Sequence, residues 1–154
     1  MTRYLMVTGS RDWHDEVVIR NALSEAYIRL FDSDELLAPT LLVGAASGAD
    51  QIAENIWRDA GLPFKRFPAD WTAACGAQCE PGHRKPHRRT GSTYCPMAGY
   101  YRNREMIEQH PALVLAFINP CVKPNCRKRH DSHGTTQAIE LAQDAGIPVW
   151  PYRG

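Results

Sequence analysis

The segment CGAQCEPGHRKPH places Cys75, Cys79, His83 and His87 at every fourth residue, among two prolines and two glycines. Closely spaced thiolates and imidazoles are zinc ligands, and zinc takes four of them tetrahedrally. Cys95 follows in the same stretch, so the spacing C-x3-C-x3-H…C supplies a full set. A second group, Cys121, Cys126 and His130, has the spacing C-x4-C-x3-H and supplies three, with His133 close by. All five cysteines lie between residues 75 and 126. An odd number argues against simple disulfide pairing, and no CxxC pair supports a redox device. The expected metal ligands are therefore Cys75, Cys79, His83, Cys95, Cys121, Cys126 and His130. They would hold one structural zinc per stretch, or one shared zinc. Free thiols with scattered histidines are the alternative.

Other residues could cradle phosphate. Gly9, Ser10, Arg11 and Asp12 follow a short apolar run. GAASGAD, with Gly44, Ser47, Gly48 and Asp50, follows a second run and opens a helical pattern. DSHGTT, with Asp131, His133, Gly134, Thr135 and Thr136, opens another. Glycine lets the backbone approach an anion, and free N–H groups at a helix start bind phosphate. Arg102 and Arg104 in YYRNREM add guanidinium groups suited to bidentate phosphate recognition, and Asn103 between them is a further candidate ligand-binding residue. His133 sits in the third loop, so it is expected on the ligand rather than on metal. Candidate carboxylates are Asp12, Asp50 and Asp131, and Asp50 could equally be a helix-start residue with a structural role. No loop matches GxxxxGK[ST] or GxGxxG, so the triphosphatase and dehydrogenase fingerprints are missing.

The elements that must position these residues alternate. Apolar runs at Tyr4–Thr8, Leu41–Gly44, Phe64–Phe67, Leu113–Ile118 and Pro148–Trp150 read as strands. Helical periodicity fills Val17–Phe31, Ala49–Ala60, Tyr100–His110 and Thr135–Ala145, with stop signals at Gly61 and Gly146. The alternation predicts one α/β domain over residues 1–154: a Rossmann-like, doubly wound parallel sheet of five strands in order 3-2-1-4-5. Two inserts, 70–99 and 119–133, follow strands and so fall on the carboxyl edge, where such sheets bind ligands.

Hydrophobic content of 44% and charged content of 23% are ordinary for a globular chain. No apolar run approaches the ~20 residues needed to cross a bilayer, and the N-terminus has no secretory pattern. The reading is a cytoplasmic protein. Net charge is only +1, yet ten of the 18 basic residues fall in two stretches. Arg84, Lys85, Arg88, Arg89, Arg102 and Arg104 form one, and Lys123, Arg127, Lys128 and Arg129 the other. That pattern suits an anionic partner, either nucleotide phosphate or nucleic acid.

VTGSRDW at 7–13, GAASGADQIAE at 44–54, YRNREM at 101–106 and SHGTTQAIELAQDAGIPV at 132–149 resemble the YspA/YpsA-related branch of the SLOG superfamily. That superfamily groups the LOG phosphoribohydrolases with the DNA-processing protein DprA. The version with cysteine-bearing inserts is similar to forms encoded by actinobacterial phages. The resemblance implies a Rossmann-like fold, a nucleotide-derived ligand and a homodimer. LOG enzymes cleave the N-glycosidic bond of nucleoside monophosphates with an Arg in an RKxxM-type segment and a Glu in GGxGTxxE. Arg102 and Met106 fit the first segment, and Gly134 and Thr135 the second, but Ala138 holds the Glu position. Glu140 lies two residues on, about 200° around a helix. Ligand binding as sensor, carrier or sequestering protein is therefore the leading expectation. Nucleotide N-glycosidase activity, with Arg102 and Asp50 as candidate catalytic residues, comes second. A zinc-stabilised nucleic-acid-binding module comes third, weakened by the low net charge.

Overall fold

Strand β1 (Tyr4–Gly9) is the middle of the sheet, and its side chains are buried on both faces. Leu5 and Val7 point into one hydrophobic cluster while Met6 points into another, the period-two alternation of an extended chain. The computed structural model describes residues 2–76, 79–126 and 128–154, so Arg127 of the second basic stretch lies outside the described residues.

Helix α1 (Glu16–Leu30) starts where Asp15 Oδ1 accepts the N–H groups of Val17 and Val18 at 3.1 and 3.3 Å. Such caps contribute about 1 kcal/mol. Strand β2 (Thr40–Val43) is buried throughout. It leads into α2 (Ala49–Asp59) and then β3 (Phe64–Arg66). The first insert carries a small hairpin, β4 (Lys85–Pro86) with β5 (Thr93–Tyr94). Helix α3 (Ala98–Glu108), strand β6 (Leu113–Ile118), helix α4 (His133–Asp144) and strand β7 (Val149–Arg153) complete the chain.

The main sheet runs β3-β2-β1-β6-β7, with every neighbouring pair parallel. This is the expected order 3-2-1-4-5 once the hairpin is set aside. Residues of α1 and α2, such as Ile19, Leu23, Ala53 and Trp57, cover one face with Leu5, Leu41 and Phe117. Met106 and Ile107 of α3 and Ala138 and Ala142 of α4 cover the other with Met6, Leu42 and Val114. A sheet covered on both faces explains the unbroken apolar runs in the sequence. Each fully buried Leu or Val stabilises the fold by about 1.5–3 kcal/mol. Gly61 and Gly146, at φ 74° and 73°, end α2 and α4 in the left-handed conformation that Gly adopts without strain.

Most element boundaries differ from the sequence reading by one or two residues, β7 runs three residues further, to Arg153, and three differences bear on the inserts and the loops. Helix α3 starts at Ala98, inside the span assigned to the first insert. Helix α4 starts at His133 rather than Thr135. The β4–β5 hairpin has two residues per strand, too few to leave a period in the sequence.

Candidate functional site

The carboxyl ends of β1, β2 and β6 bring the three loops together. Gly9 is needed for packing: a Cβ there would overlap Ala49 Cβ and lie 3.0 Å from the Phe117 carbonyl. Ser10 is 2% exposed and fully engaged. Its N–H donates to Phe117 O at 2.9 Å, and its Oγ accepts the Asn119 N–H at 2.8 Å. The same Oγ lies 2.8 Å from Ser132 Oγ, which donates to Thr135 Oγ1 at 3.0 Å. Thr136 Oγ1 donates back to Ser132 O at 3.0 Å. The hydroxyls of Ser10, Thr135 and Thr136 thus lock β1, β6 and the start of α4 to one another.

The β2–α2 loop is shaped around two charged side chains. A Cβ on Gly44 would overlap the Arg102 guanidinium and lie 2.8 Å from Asp50 Oδ2. Arg102 crosses that gap, donating from Nη1 to the Gly44 carbonyl and to Phe67 O at 3.5 Å. Ala45 follows Gly44 at φ 59°, a left-handed conformation that costs a residue with a Cβ about 1–2 kcal/mol. Gly48, at φ 75°, packs its backbone on Ser10 and Arg11, and Ser47 Oγ donates to Arg11 O at 3.5 Å.

Asp50 is 5% exposed. Its Oδ2 accepts the Ala46 N–H at 3.4 Å, while Oδ1 has no hydrogen-bond partner among the described residues. Burial raises this carboxyl from 3.8 to about 6, against the opposing pull of Arg102 and the Ala46 N–H. Burial also lowers the Arg102 guanidinium from its usual value, against the pull of Asp50. The other two candidate carboxylates are occupied. Asp12 Oδ1 accepts Asn119 Nδ2 at 3.1 Å, and Asp131 pairs with Arg153 at 2.7 Å.

Asn103 is buried and links Arg102 to α4. Its Oδ1 accepts Arg102 Nε at 2.9 Å, and its Nδ2 donates to the Gly134 carbonyl at 3.3 Å. Arg104 instead reaches Glu108, one turn along α3, at 3.9 Å. Arg11 is exposed, with its guanidinium 5.6 Å from the centre of the Trp71 ring. An open groove of about 500 Å³ runs beside it, lined by Arg11, Asp12, Gly48 and Gln51 among others.

The cysteines and histidines form two tetrads, each with its ligand atoms within 4.8 Å of one another. Cys75, Cys79, His83 and Cys95 make the first, and Cys121, Cys126, His130 and His133 the second. Zinc at ~2.3 Å from sulfur and ~2.1 Å from nitrogen sets tetrahedral ligands roughly 3.5–3.8 Å apart. Cys79–Cys95 and Cys95–His83, both at 3.7 Å, fit that spacing, and Cys126–His133 at 3.4 Å is close to it. Cys75–His83, at 2.7 Å, is a hydrogen-bond distance. Both tetrads could hold a metal. His133, expected in the cradle, stands in the second tetrad. His87 stays outside the first, accepting the Arg89 N–H at 3.2 Å.

The sulfurs of the first tetrad have polar support. Tyr101 Oη lies 2.9 Å from Cys79 Sγ, and Arg84 Nη1 donates to Cys75 Sγ at 3.4 Å. Burial opposes the Cys79 thiolate, but hydrogen bonds from Tyr101 and Cys95 outweigh it and lower that thiol from its usual value. The contact with Cys79 pushes the Tyr101 phenol up to about 12. Burial raises the Cys95 thiol.

Sequence reasoning missed Tyr101, Trp71 and Ser132, and it read Arg84 as part of a basic stretch rather than as a donor to Cys75. Tyr101 follows Tyr100 in an apolar-looking start to α3, and nothing in its type announces a sulfur contact. Trp71 stands four residues before Cys75. Its carbonyl accepts the Cys95 N–H at 2.8 Å, which ties its backbone to the first tetrad, while its ring packs edge-on to Tyr94 and lies 5.6 Å from the Arg11 guanidinium.

This arrangement defines a class: a doubly wound α/β protein whose glycine-bearing loops, a buried Arg and a buried carboxylate converge at the carboxyl edge of the sheet. Comparison with known proteins names the family. The YspA, cpYpsA-related SLOG family description matches residues 4–73, from β1 to the start of the first insert. The Gene 61 protein of Mycobacterium phage D29 is 32% identical over 152 residues, covering 96% of this chain and 94% of that protein. The chain belongs to the YspA, cpYpsA-related SLOG family, whose fold is one for nucleotide-related ligands. Among the described residues, no helix is long and apolar enough to cross a membrane.

Proposed function

We propose that the protein binds a nucleotide or nucleotide-derived ligand at the carboxyl ends of β1, β2 and β6, and acts as a sensor, carrier or sequestering protein. The observation that carries this reading is Asp50 beside Arg102 across Gly44. A buried carboxylate oxygen without a partner costs on the order of 1–3 kcal/mol or more. A ribose hydroxyl or a base N–H would satisfy it, while Arg102, Arg11 and the N–H groups at the starts of α2 and α4 face phosphate. Zinc in the tetrads is structural in this account, because four protein ligands leave no open position. The protein works as a cytoplasmic homodimer.

The test is a thermal-shift panel of AMP, ADP, ATP, NAD and ADP-ribose. A ligand that binds only the folded state raises the melting point. At least one nucleotide should raise it by several degrees, and Arg102→Ala should abolish the rise. No shift with any of them counts against the reading.

A hydrolytic second reading rests on Asp50 as well. A desolvated carboxyl raised to about 6 can act as acid or base near neutral pH. It would take the place of the family Glu, whose position is Ala138, buried against Met6 and Leu42. Glu140 is exposed, two residues further along α4. Free base released from AMP by the wild type, and lost in Asp50→Asn, would select this reading.

A further inference from the structure

The nucleotide reading leaves the basic stretches unused. Residues 70–99 and 119–133 carry eight Lys and Arg against three Asp and Glu, while the other residues carry ten against fourteen. The near-neutral total therefore hides two basic inserts on an acidic body. Most of this charge is not spent inside the fold. Arg84 is the exception in the first insert. It donates from Nε to Thr93 Oγ1 at 3.0 Å, from Nη2 to Thr93 O at 2.9 Å and from Nη1 to Ala73 O at 2.9 Å. These bonds fasten the base of the β4–β5 hairpin to the first tetrad.

Beyond that base the hairpin closes tightly. His87 N–H donates to Ser92 O at 2.7 Å, Gly91 N–H donates to His87 O at 3.0 Å, and Gly91 takes φ 69°. Lys85, Arg88 and Arg89 are exposed, and among the described residues none has a carboxylate within ion-pair distance. Thr90 and Ser92 add exposed hydroxyls at the tip, 2.7 Å from each other. The tip is thus a short two-stranded ribbon with three unpaired cations, fixed at its root by Arg84 and by Cys75, Cys79, His83 and Cys95.

We propose that this hairpin is a contact surface for the phosphate backbone of duplex DNA. A two-stranded ribbon fits the major groove, and unpaired Lys and Arg gain affinity by releasing counterions from phosphates. A membrane surface fits less well. Residues 83–93 (HRKPHRRTGST) hold no large apolar side chain to enter a bilayer. Lys123, Lys128 and Arg129 are exposed as well, in the second insert, which follows β6. Lys85, Arg88 and Arg89 are not among the described partners of Asp50 or Arg102, and the proposal does not depend on how that cleft is read.

The test is fluorescence anisotropy of a labelled 20-mer duplex with the zinc-loaded full chain, across a salt series. Binding should weaken with salt, with a slope of log K on log salt of about −2.7 for three phosphate contacts. The combined Lys85→Ser, Arg88→Ser and Arg89→Ser variant should bind at least tenfold more weakly, with a flatter slope. Its zinc content and melting point should match the wild type, since these side chains hold nothing in the fold. No binding at low salt overturns the proposal. So does equal binding by the variant, or binding to phosphatidylglycerol vesicles with none to DNA.

Discussion

Asn103 donates its Nδ2 to the carbonyl of Gly134 at 3.3 Å, and this bond joins the middle of α3 to the start of α4. Two residues before Asn103, Tyr101 touches Cys79 of the first tetrad at 2.9 Å. One residue before Gly134, His133 lies 3.4 Å from Cys126 of the second. Between them sits Arg102. The Cys/His inserts are therefore fastened to the same two helices that carry the cleft.

Metal removal should loosen both helices. A structural zinc contributes its binding free energy to folding, so a strong chelator should lower the melting point of the zinc-loaded protein by many degrees. Cys79→Ser and Cys126→Ser should each lose one equivalent of zinc by elemental analysis, and the double variant two. A wild-type protein holding less than a tenth of an equivalent would remove zinc from the account.

Gly44→Ala should disturb the cleft without touching the metal. The added methyl meets Arg102 and lies 2.8 Å from Asp50 Oδ2. Overpacking of this kind costs about 1–3 kcal/mol, and the displaced guanidinium should lose the nucleotide. Urea unfolding and a binding titration on the same sample check both effects, while zinc content stays unchanged.

Asp50 makes stability depend on pH in a direction opposite to most carboxylates. Its folded value of about 6 lies above the ordinary 3.8, so the native state holds its proton more tightly than the unfolded chain. Its contribution is fully present below about pH 3.8 and is lost as pH rises through about 6. The loss amounts to roughly 3 kcal/mol at most. Between pH 4 and 7, Asp50→Asn should therefore gain stability relative to the wild type. A difference that does not change with pH would mean Asp50 is not protonated by its burial. Glu54, lowered mainly by its hydrogen bonds from Arg66, works in the other direction. It stabilises the fold above the usual carboxylate range and ceases to do so as pH falls below it.

Restoring the family carboxylate should fail. Ala138 is fully buried among Met6, Leu42 and Val114. Ala138→Glu forces a charge and four extra heavy atoms into that cluster, costing several kcal/mol. The variant should melt far below the wild type and show no glycosidase activity. A stable variant that releases base from AMP would place this helix face in the cleft instead.

Much of the fold was legible in the chain. Continuous runs such as LVLAFI could only be strands buried on both faces, and glycines at 61 and 146 marked where helices stop. The tetrads were legible too, because spacing alone put Cys75, Cys79 and His83 within reach of one ion. His133 was not: its place in the DSHGTT loop suggested a ligand contact, but α4 begins at that residue and turns it toward Cys126. Ser10 likewise read as a phosphate donor, yet its hydroxyl is taken up by Asn119 and Ser132. Such contacts span more than a hundred residues, and no local pattern records them. The charge of the inserts was visible, but only the hairpin separates Arg84, which is bonded inward, from Lys85, Arg88 and Arg89, which are not.

The central claim is that Arg102 and Asp50 face a nucleotide. Calorimetric titration of the zinc-loaded protein with AMP, NAD and ADP-ribose tests it most directly. The account predicts saturable binding of at least one of them, weakened at least tenfold, or about 1.4 kcal/mol, in a folded Arg102→Ala variant. No binding by any of the three, or equal binding by Arg102→Ala, would contradict it.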